Sequence, residues 1–256
     1  MPDRTEAGRL IDAGRVLVSG SVATKPERQV APAEPIVVQD PPARFVSRGG
    51  EKLHAALRTF GVDPAGRRVL DAGASTGGFT DCVLQAGAAS VVAVDVGYGQ
   101  LHERVARDPR VRTLDRTNIR RLDPEVLGGP VDLVVADLSF ISLRTVAEAL
   151  LRCCGPGADL VALVKPQFEA ARAEASRGRG IISDPAVWRR VLDEVIAAIS
   201  QQGGTIMGAM VSPLTGSDGN VEFLVHARAP GGSALGPDTP SIDLDGVLAS
   251  VPGEPR

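Results

Sequence analysis

The chain has 256 residues, a formal net charge of −3, and 43% apolar against 23% charged residues, which is ordinary for a globular protein. No apolar run approaches the ~18 residues of a membrane span, and the polar start is unlike a signal peptide, so we expect neither a membrane partner nor secretion. The three cysteines, Cys82, Cys153 and Cys154, form no CxxC pair. This argues against a disulfide framework or a metal site and indicates a reducing cytoplasm. The expected state is a monomer.

The first forty residues are predicted to form a separate small α+β unit. Helical spacing over residues 5–13 is followed by strand-like runs at 15–18 and 36–38. Prolines then interrupt regular structure, so residues 41–45 are predicted to be an interdomain linker.

The strand region of this unit carries a known pattern. Gly14-x-Val16-x-Val18-x-Gly20, followed by Lys25-Pro26, resembles the alpha-L RNA-binding module of a small-subunit ribosomal protein. The resemblance implies phosphate contacts from Arg15 and Lys25. The module normally opens with a further basic helix, which does not precede this pattern here, so a truncated module is expected.

Residues 69–79 hold the most informative motif, Val-Leu-Asp-Ala-Gly-Ala-Ser-Thr-Gly-Gly-Phe. A glycine-rich turn between a strand and a helix lets the backbone approach a nucleotide-like cofactor. The turn has no Lys for a phosphate loop, and Asp71 would face a pyrophosphate unfavourably. That acid suits a cofactor with a cationic amino-acid end, such as S-adenosylmethionine. Asp95 ends the next strand, where an acid binds a ribose diol.

The predicted cofactor-binding residues therefore lie in the turn and after the next two strands. They are Asp71, Gly73, Ser75, Gly77, Phe79, Asp95, Asp115 and Asn118, the last two near the adenine. One alternative stays open, because Gly73-x-Ser75-x-Gly77 is also the nucleophile-elbow pattern of α/β-hydrolases. Its triad would use His226, which lies in a strand-like run.

Strands and helices alternate from this turn onward. Further strands are predicted at 90–95, 111–114, 131–136, 159–164, 205–211 and 221–228, with helices at 143–153 and 185–201. This alternation predicts an α/β fold with a mostly parallel sheet. Seven strands with an antiparallel last strand favour the Rossmann-like methyltransferase sheet, within a domain spanning residues 46–230. The Gly- and Pro-rich residues 231–256 are predicted to be a disordered tail.

Two amines and two carboxylates are predicted to meet at one sheet edge. Asp137 and Lys165 follow the fourth and fifth strands, Lys52 precedes the first strand, and Glu222 opens the last. Ligands bind at the carboxyl ends of such strands. These four residues form a set able to orient a hydroxyl group and remove its proton.

At this point the chain resembles the hemolysin-A (TlyA) family of ribosomal-RNA 2′-O-methyltransferases, in the FtsJ-like superfamily. The motifs that carry the resemblance are Arg48-Gly-Gly-Glu-Lys52, Asp71 to Phe79, Asp95-Val-Gly-Tyr-Gly99, Arg116-Thr-Asn118, Asp137 to Ser142, Lys165-Pro-Gln-Phe-Glu169 and Gly219-Asn-Val-Glu222. The resemblance implies S-adenosylmethionine as methyl donor and a cytidine ribose in ribosomal RNA as acceptor. It also implies a Lys-Asp-Lys-Glu tetrad at Lys52, Asp137, Lys165 and Glu222.

Lys165 is the expected base in this tetrad. Arg48, Arg116 and Arg120 join Arg15 and Lys25 as expected RNA contacts. A second class of function, an rRNA-binding or assembly protein without catalysis, remains open and predicts RNA binding that ignores the cofactor.

Overall fold

The computed structural model describes residues 4–39, 43–171, 173–174, 178–231 and 242–252. The chain divides into two compact units, Met1–Arg44 and Phe45–Arg256. No helix in the described part of the chain is long and apolar enough to cross a membrane.

The first unit is one helix and a three-stranded antiparallel sheet. Its elements are α1 (Arg4–Asp12), β1 (Val16–Val18), β2 (Ser21–Val22) and β3 (Ile36–Val38), with strand order β2-β1-β3. Val16, Val18 and Ala23 form a small core, against which Leu10, Ile11 and Val30 pack. The helix, the central strand β1 and the edge strand β3 lie where the sequence predicts them, whereas the two-residue edge strand β2 was not predicted.

The second unit is built on a seven-stranded sheet. The strands are β4 (Arg68–Ala72), β5 (Ser90–Val94), β6 (Val111–Leu114), β7 (Val131–Ala136), β8 (Cys154–Val164), β9 (Thr205–Val211) and β10 (Phe223–Arg228), in the order β6-β5-β4-β7-β8-β10-β9. β4 to β8 pair in parallel, and β10 is antiparallel to both of its neighbours. The predicted α/β fold, with its antiparallel last strand, is confirmed.

Helices cover both faces of this sheet. They are α2 (Gly49–Phe60), α3 (Gly78–Gln85), α4 (Glu103–Ala106), α5 (Pro124–Leu127), α6 (Leu143–Cys153), α7 (Pro166–Glu169), α8 (Pro185–Gln201) and α9 (Leu244–Ala249), with a 3₁₀ turn at Ile119–Arg121. Successive side chains of a strand point to opposite faces, so Val69 packs in the core beneath α2 and α3 while Leu70 packs in the core beneath α6 and α8. Burial on both faces explains the continuous apolar runs of β4, β5 and β7.

The boundary between the linker and the second unit differs from the sequence prediction. Phe45, predicted to be the end of the linker, is only 3% exposed and belongs to the core of the second unit. A Cβ on Gly50 would lie 2.4 Å from the Phe45 side chain, so the glycine makes room for that ring. Linker positions 41 and 42 lie outside the described residues.

The prediction of a disordered tail over residues 231–256 is wrong for residues 242–252. These residues contain α9, where Leu244 is buried and Val247 and Leu248 pack against the core. Asp243 caps this helix by accepting a hydrogen bond from the backbone N–H of Gly246. The apolar positions of α9 outweigh its Gly- and Pro-rich flanks. Residues 232–241 and 253–256 lie outside the described part of the chain.

Candidate active site

The glycine turn joins β4 to α3 and approaches the neighbouring strand closely. Gly73 (φ +87°) and Gly77 (φ +91°) adopt left-handed backbone conformations that favour glycine. A Cβ on Gly73 would lie 2.4 Å from the backbone oxygen of Asp137, and a Cβ on Gly77 would lie 2.9 Å from Leu101. The turn is therefore held against the end of β7, which brings Asp137 beside it.

Asp71 lies fully buried beneath the turn. Thr80 Oγ1 donates a hydrogen bond to Asp71 Oδ2 at 2.6 Å, while Oδ1 has no hydrogen-bond partner among the described residues. Burial raises the pKa of Asp71 to about 7, the Thr80 hydrogen bond opposes this, and the nearby Asp137 adds to it. An incompletely bonded carboxylate under a cofactor turn is suited to a cationic group.

Asp95 holds two loops together at the end of β5. Its Oδ2 accepts the backbone N–H of Ser75 at 2.8 Å, and its Oδ1 accepts that of Gly97 at 2.7 Å. Ser75 itself has a positive φ of 45°, which this contact helps to hold. Asp95 therefore sets the shape of the cleft as well as lining it.

A cleft of about 610 Å³ opens beside the turn, between the ends of β5 and β7. Of the predicted cofactor residues, Gly73, Ser75, Asp95 and Asn118 line it. Asp115 does not; its Oδ2 accepts the backbone N–H of Gly99 at 2.9 Å, so it braces a loop instead. The apolar side of the cleft comes from Val96, Ile119, Leu138, Phe140 and Ile141, which the sequence did not single out.

A smaller cavity of about 170 Å³ adjoins the cleft and shares Gly73, Ser75, Asp137 and Ser139 with it. Lys52, Asp137 and Lys165 line this cavity together, and Phe79 lies at its turn side. Gly77 lines neither cavity and acts through the turn's conformation.

The four predicted catalytic residues form two ion pairs. Lys165 Nζ lies 2.6 Å from Asp137 Oδ1, a contact without hydrogen-bond geometry, and donates a hydrogen bond to Ser139 Oγ at 3.0 Å. Lys52 Nζ donates to Glu222 Oε2, and both side chains are buried. The residues of this site thus come from four separate elements: α2, the loop after β7, the end of β8 and the start of β10.

The predicted RNA contacts divide between the two units. In the second unit, Arg116 stacks on the exposed Tyr98 ring at 4.5 Å from its centroid, and Arg120 is exposed beside Asn118. Arg48 donates a hydrogen bond to the Thr215 backbone oxygen at 2.5 Å, so it also ties down a loop. In the first unit, Lys25 is exposed, and Arg15 donates to the Gln39 backbone oxygen at 2.8 Å.

The hydrolase alternative is not supported. His226 Nε2 lies 2.7 Å from Asp159 Oδ1, and both residues are buried. Asp159 is the middle residue of β8 and pairs with Arg228, whereas Val164 at the carboxyl end of that strand pairs with Phe223. His226 thus belongs to a cluster directed away from the strand edge that carries Ser75.

Two polar residues at this edge were not predicted from the sequence. Ser139 contacts Lys165, and Glu169 binds the start of α6. Both stand in the motifs quoted above, but their partners are 26 residues away, so neither motif alone indicates the contact.

Comparisons with known proteins indicate the family of the chain. A family profile described as FtsJ-like methyltransferase matches residues 45–229. The chain is 49% identical over 233 residues to the 16S/23S rRNA (cytidine-2′-O)-methyltransferase TlyA of Mycobacterium tuberculosis, covering 91% of this chain and 87% of that protein. It is 37% identical to Hemolysin A of Brachyspira hyodysenteriae, covering 87% and 92% of the two chains.

Solved structures extend the comparison. A Lactococcus lactis protein, provisionally named a hemolysin, aligns with a TM-score of 0.75 and 38% identity, over 80% of this chain and 97% of that one. The N-methyltransferase NodS of Bradyrhizobium japonicum, in complex with S-adenosyl-L-homocysteine, aligns with a TM-score of 0.50 and 17% identity, over 70% of this chain and 86% of that one. The second likeness concerns the fold alone.

Proposed function

The chain belongs to the FtsJ-like methyltransferase family, in its TlyA and hemolysin-A branch, and we propose that its acceptor is the ribose 2′-hydroxyl of a cytidine in ribosomal RNA. It is an enzyme that uses S-adenosylmethionine as methyl donor. The observation that carries the proposal is the meeting of Lys52, Asp137, Lys165 and Glu222 as two ion pairs beside the cofactor turn.

The residues of the cleft fit the cofactor. S-adenosylmethionine supplies an activated methyl group on a cationic sulfur. The backbone of Gly73 and Ser75 lines the cleft and suits its methionyl end, with the carboxyl group of Asp71 buried beneath it, and Asp95 suits its ribose. Val96, Ile119 and Leu138 supply apolar surface for the adenine, with Asn118 as a polar neighbour.

Proton removal is assigned to Lys165. A ribose hydroxyl is a poor nucleophile, so the enzyme must position it and accept its proton. Lys165 must give up its own proton before it accepts that of the hydroxyl, and the Asp137 carboxylate, 2.6 Å away, then stabilises the ammonium group that forms. Ser139 accepts a hydrogen bond from the same nitrogen and so limits its rotation.

Lys52 and Glu222 are assigned to the acceptor. Both are buried, and their ion pair fixes α2 against the start of β10. Lys52 lines the catalytic cavity, where its ammonium group contacts the acceptor ribose or its phosphate. Glu222, which is buried and lines neither cavity, orients Lys52.

Arginines surround the cofactor cleft and are proposed to bind RNA phosphates. Arg116 and Arg120 are exposed next to Asn118, and the Arg116–Tyr98 stack combines a cation with an aromatic face. Arg15 and Lys25 supply the proposed contacts of the first unit, as in the alpha-L module that it resembles.

Transfer of tritium from labelled S-adenosylmethionine tests this function. The purified chain is incubated with separated ribosomal subunits from cells that lack it, and the rRNA is hydrolysed in alkali. A 2′-O-methyl group blocks alkaline cleavage at its own nucleotide, so we expect the label in an alkali-stable dinucleotide that begins with cytidine. Label in mononucleotides, or none in RNA, would contradict the proposal.

A further inference from the structure

The segment that carries Asp137 is held by a residue on another element. Residues 137–142, here called the Asp137 loop, connect β7 to α6. Phe140 within it has a φ of +62° and a side chain 90% exposed. A non-glycine residue in this region is strained by about 1–3 kcal/mol and persists only where surrounding contacts determine it. The loop therefore needs contacts that hold its conformation.

Glu169 supplies such contacts at the far end of the loop. Its Oε1 accepts the backbone N–H of Leu143 at 2.6 Å, and its Oε2 accepts the hydroxyl hydrogen of Ser142. Arg144 adds a contact from Nε to Oε2 at 3.3 Å and donates from Nη2 to the Glu169 backbone oxygen at 2.7 Å. Glu169 is only 3% exposed, so its carboxylate makes these contacts shielded from water. The loss of a partner there leaves a buried polar group unsatisfied, which is costly in free energy.

Glu169 is also rigidly connected to Lys165. It ends α7, a single turn that starts at Pro166 immediately after Lys165. The N–H of Phe168 donates a hydrogen bond to the Lys165 carbonyl oxygen at 2.9 Å, and the N–H of Ala170 donates one to the Pro166 carbonyl oxygen at 2.8 Å. The turn therefore transmits the position of Glu169 to the backbone of Lys165. The Phe168 ring meets the Phe140 ring at 5.1 Å between centroids, a second contact between the two segments.

We propose that Glu169 is a positioning residue for methyl transfer, which holds the Asp137 loop against the Lys165 segment so that Asp137 and Lys165 meet. The proposal rests on the proposed function. Glu169 touches neither cavity and acts through the two segments it joins. Displacement of a catalytic group by about 1 Å can cost on the order of 100-fold in rate, so a buried tie between two catalytic segments has a direct effect on turnover.

Glu169→Gln tests this role in the full-length chain. Glutamine keeps one acceptor for the Leu143 N–H but loses the charge and the second acceptor, so the fold should survive. Glu194→Gln is the matched control, because Glu194 pairs with the same Arg144 but does not contact the Asp137 loop. We expect amide exchange at Asp137 and Leu143, whose N–H groups are hydrogen-bonded at the two ends of the loop, to accelerate roughly tenfold or more in Glu169→Gln and to remain as in wild type in the control.

The rate at saturating S-adenosylmethionine and rRNA gives the second readout. Glu169→Gln should lower this rate by roughly 10–100-fold, while the KM for rRNA stays within a factor of about three of the wild-type value. If Glu169 only stabilised the fold, the rate of the folded fraction would be unchanged. Unaltered exchange, or a saturated rate within twofold of an active wild type, would overturn the proposal. A wild-type chain without methyl transfer would contradict the proposed function instead, and the exchange data would still decide whether Glu169 holds the loop.

Discussion

At the scale of single residues, the proposed methyl transfer depends on the Lys165–Asp137 pair. Lys165→Ala and Asp137→Ala should each lower the rate of methyl transfer by ~100–10,000-fold. The first variant lacks the proposed base, and the second lacks the carboxylate that stabilises the protonated base. Both residues lie at strand ends rather than in the hydrophobic core, so the melting temperature should change little. Arg107→Ala, which breaks the exposed pair with Glu103, is the control. Near-normal tritium transfer by Lys165→Ala would place the base elsewhere.

Asp71 should make the stability of the cofactor-free protein depend on pH. Its folded-state pKa of about 7 exceeds the ordinary pKa of 3.8 for an aspartic acid side chain, so the folded state binds more protons than the unfolded state between these two pH values. The contribution of Asp71 to the free energy of unfolding is largest below pH 4 and falls as the pH rises to 7. The total fall is at most roughly 4 kcal/mol, at ~1.4 kcal/mol per pKa unit. Asp71→Asn should therefore be more stable than wild type at pH 8, by a margin that shrinks towards pH 4.

Urea unfolding at several pH values measures this margin. Asp193→Asn, on the exposed side of α8, is the control and should differ from wild type by a constant amount. Parallel pH curves for wild type and Asp71→Asn would contradict the assignment of a raised pKa to Asp71.

The candidate site was predictable where a strand end and a reactive side chain coincide. Asp137 and Lys165 directly follow β7 and β8, and the ends of adjacent parallel strands must meet. Asp115 also follows a strand, yet it bonds to Gly99 rather than lining the cleft, because loop geometry after the strand decides where a side chain points. Glu169 could not be assigned, since its partners come from a different strand–helix connection.

At the scale of elements, a buried charge cluster ties β8 and β10 to the start of β4. Asp159 Oδ2 lies 2.6 Å from Arg67 Nη1, and its Oδ1 lies 2.7 Å from His226 Nε2. Burial acts to raise the pKa of Asp159, but the hydrogen bonds from His226 and Arg67 outweigh it and lower the value to about 2. This contribution to stability is present above pH 4 and is lost as the pH falls towards 2.

Asp159→Asn should consequently destabilise the fold without touching the active site. Removing one partner of a buried charge pair costs ~3–5 kcal/mol, so the urea midpoint at pH 7 should fall clearly while S-adenosylmethionine binding to the folded fraction is kept. A variant as stable as wild type would show that the cluster contributes nothing net. Loss of cofactor binding in the folded fraction would show that the charge cluster around Asp159 is coupled to the cofactor cleft.

Element boundaries were predictable where periodicity was long and uninterrupted. The sheet strands were found, because strands buried on both faces read as apolar runs. β8 begins at Cys154 rather than 159, since its Gly- and Pro-containing start has no strand pattern of its own. α9 was missed because composition was averaged over the whole tail, although Leu244, Val247 and Leu248 give it an apolar face.

At the scale of the whole molecule, the two units are assigned separate tasks in the proposed function. If Arg15 and Lys25 bind phosphates, the double variant Arg15→Ala/Lys25→Ala should weaken rRNA binding and flatten its dependence on salt by ~0.7–0.9 in log–log slope per contact. Binding of S-adenosylmethionine should not change. Arg28→Ala is the control, because that guanidinium is paired with Glu34. An unchanged slope in filter binding across a salt series would remove the first unit from RNA recognition.

In the proposed function, this chain methylates a cytidine ribose in ribosomal RNA by means of Lys165. Mapping of 2′-O-methylation by primer extension at limiting nucleotide tests it most directly, on 16S and 23S rRNA from cells that lack the chain and express either the wild type or Lys165→Ala. We predict a stop at one or more cytidines with the wild type and none with the variant, at equal protein levels. Identical maps in the two strains, as a non-catalytic assembly protein would give, would contradict the account.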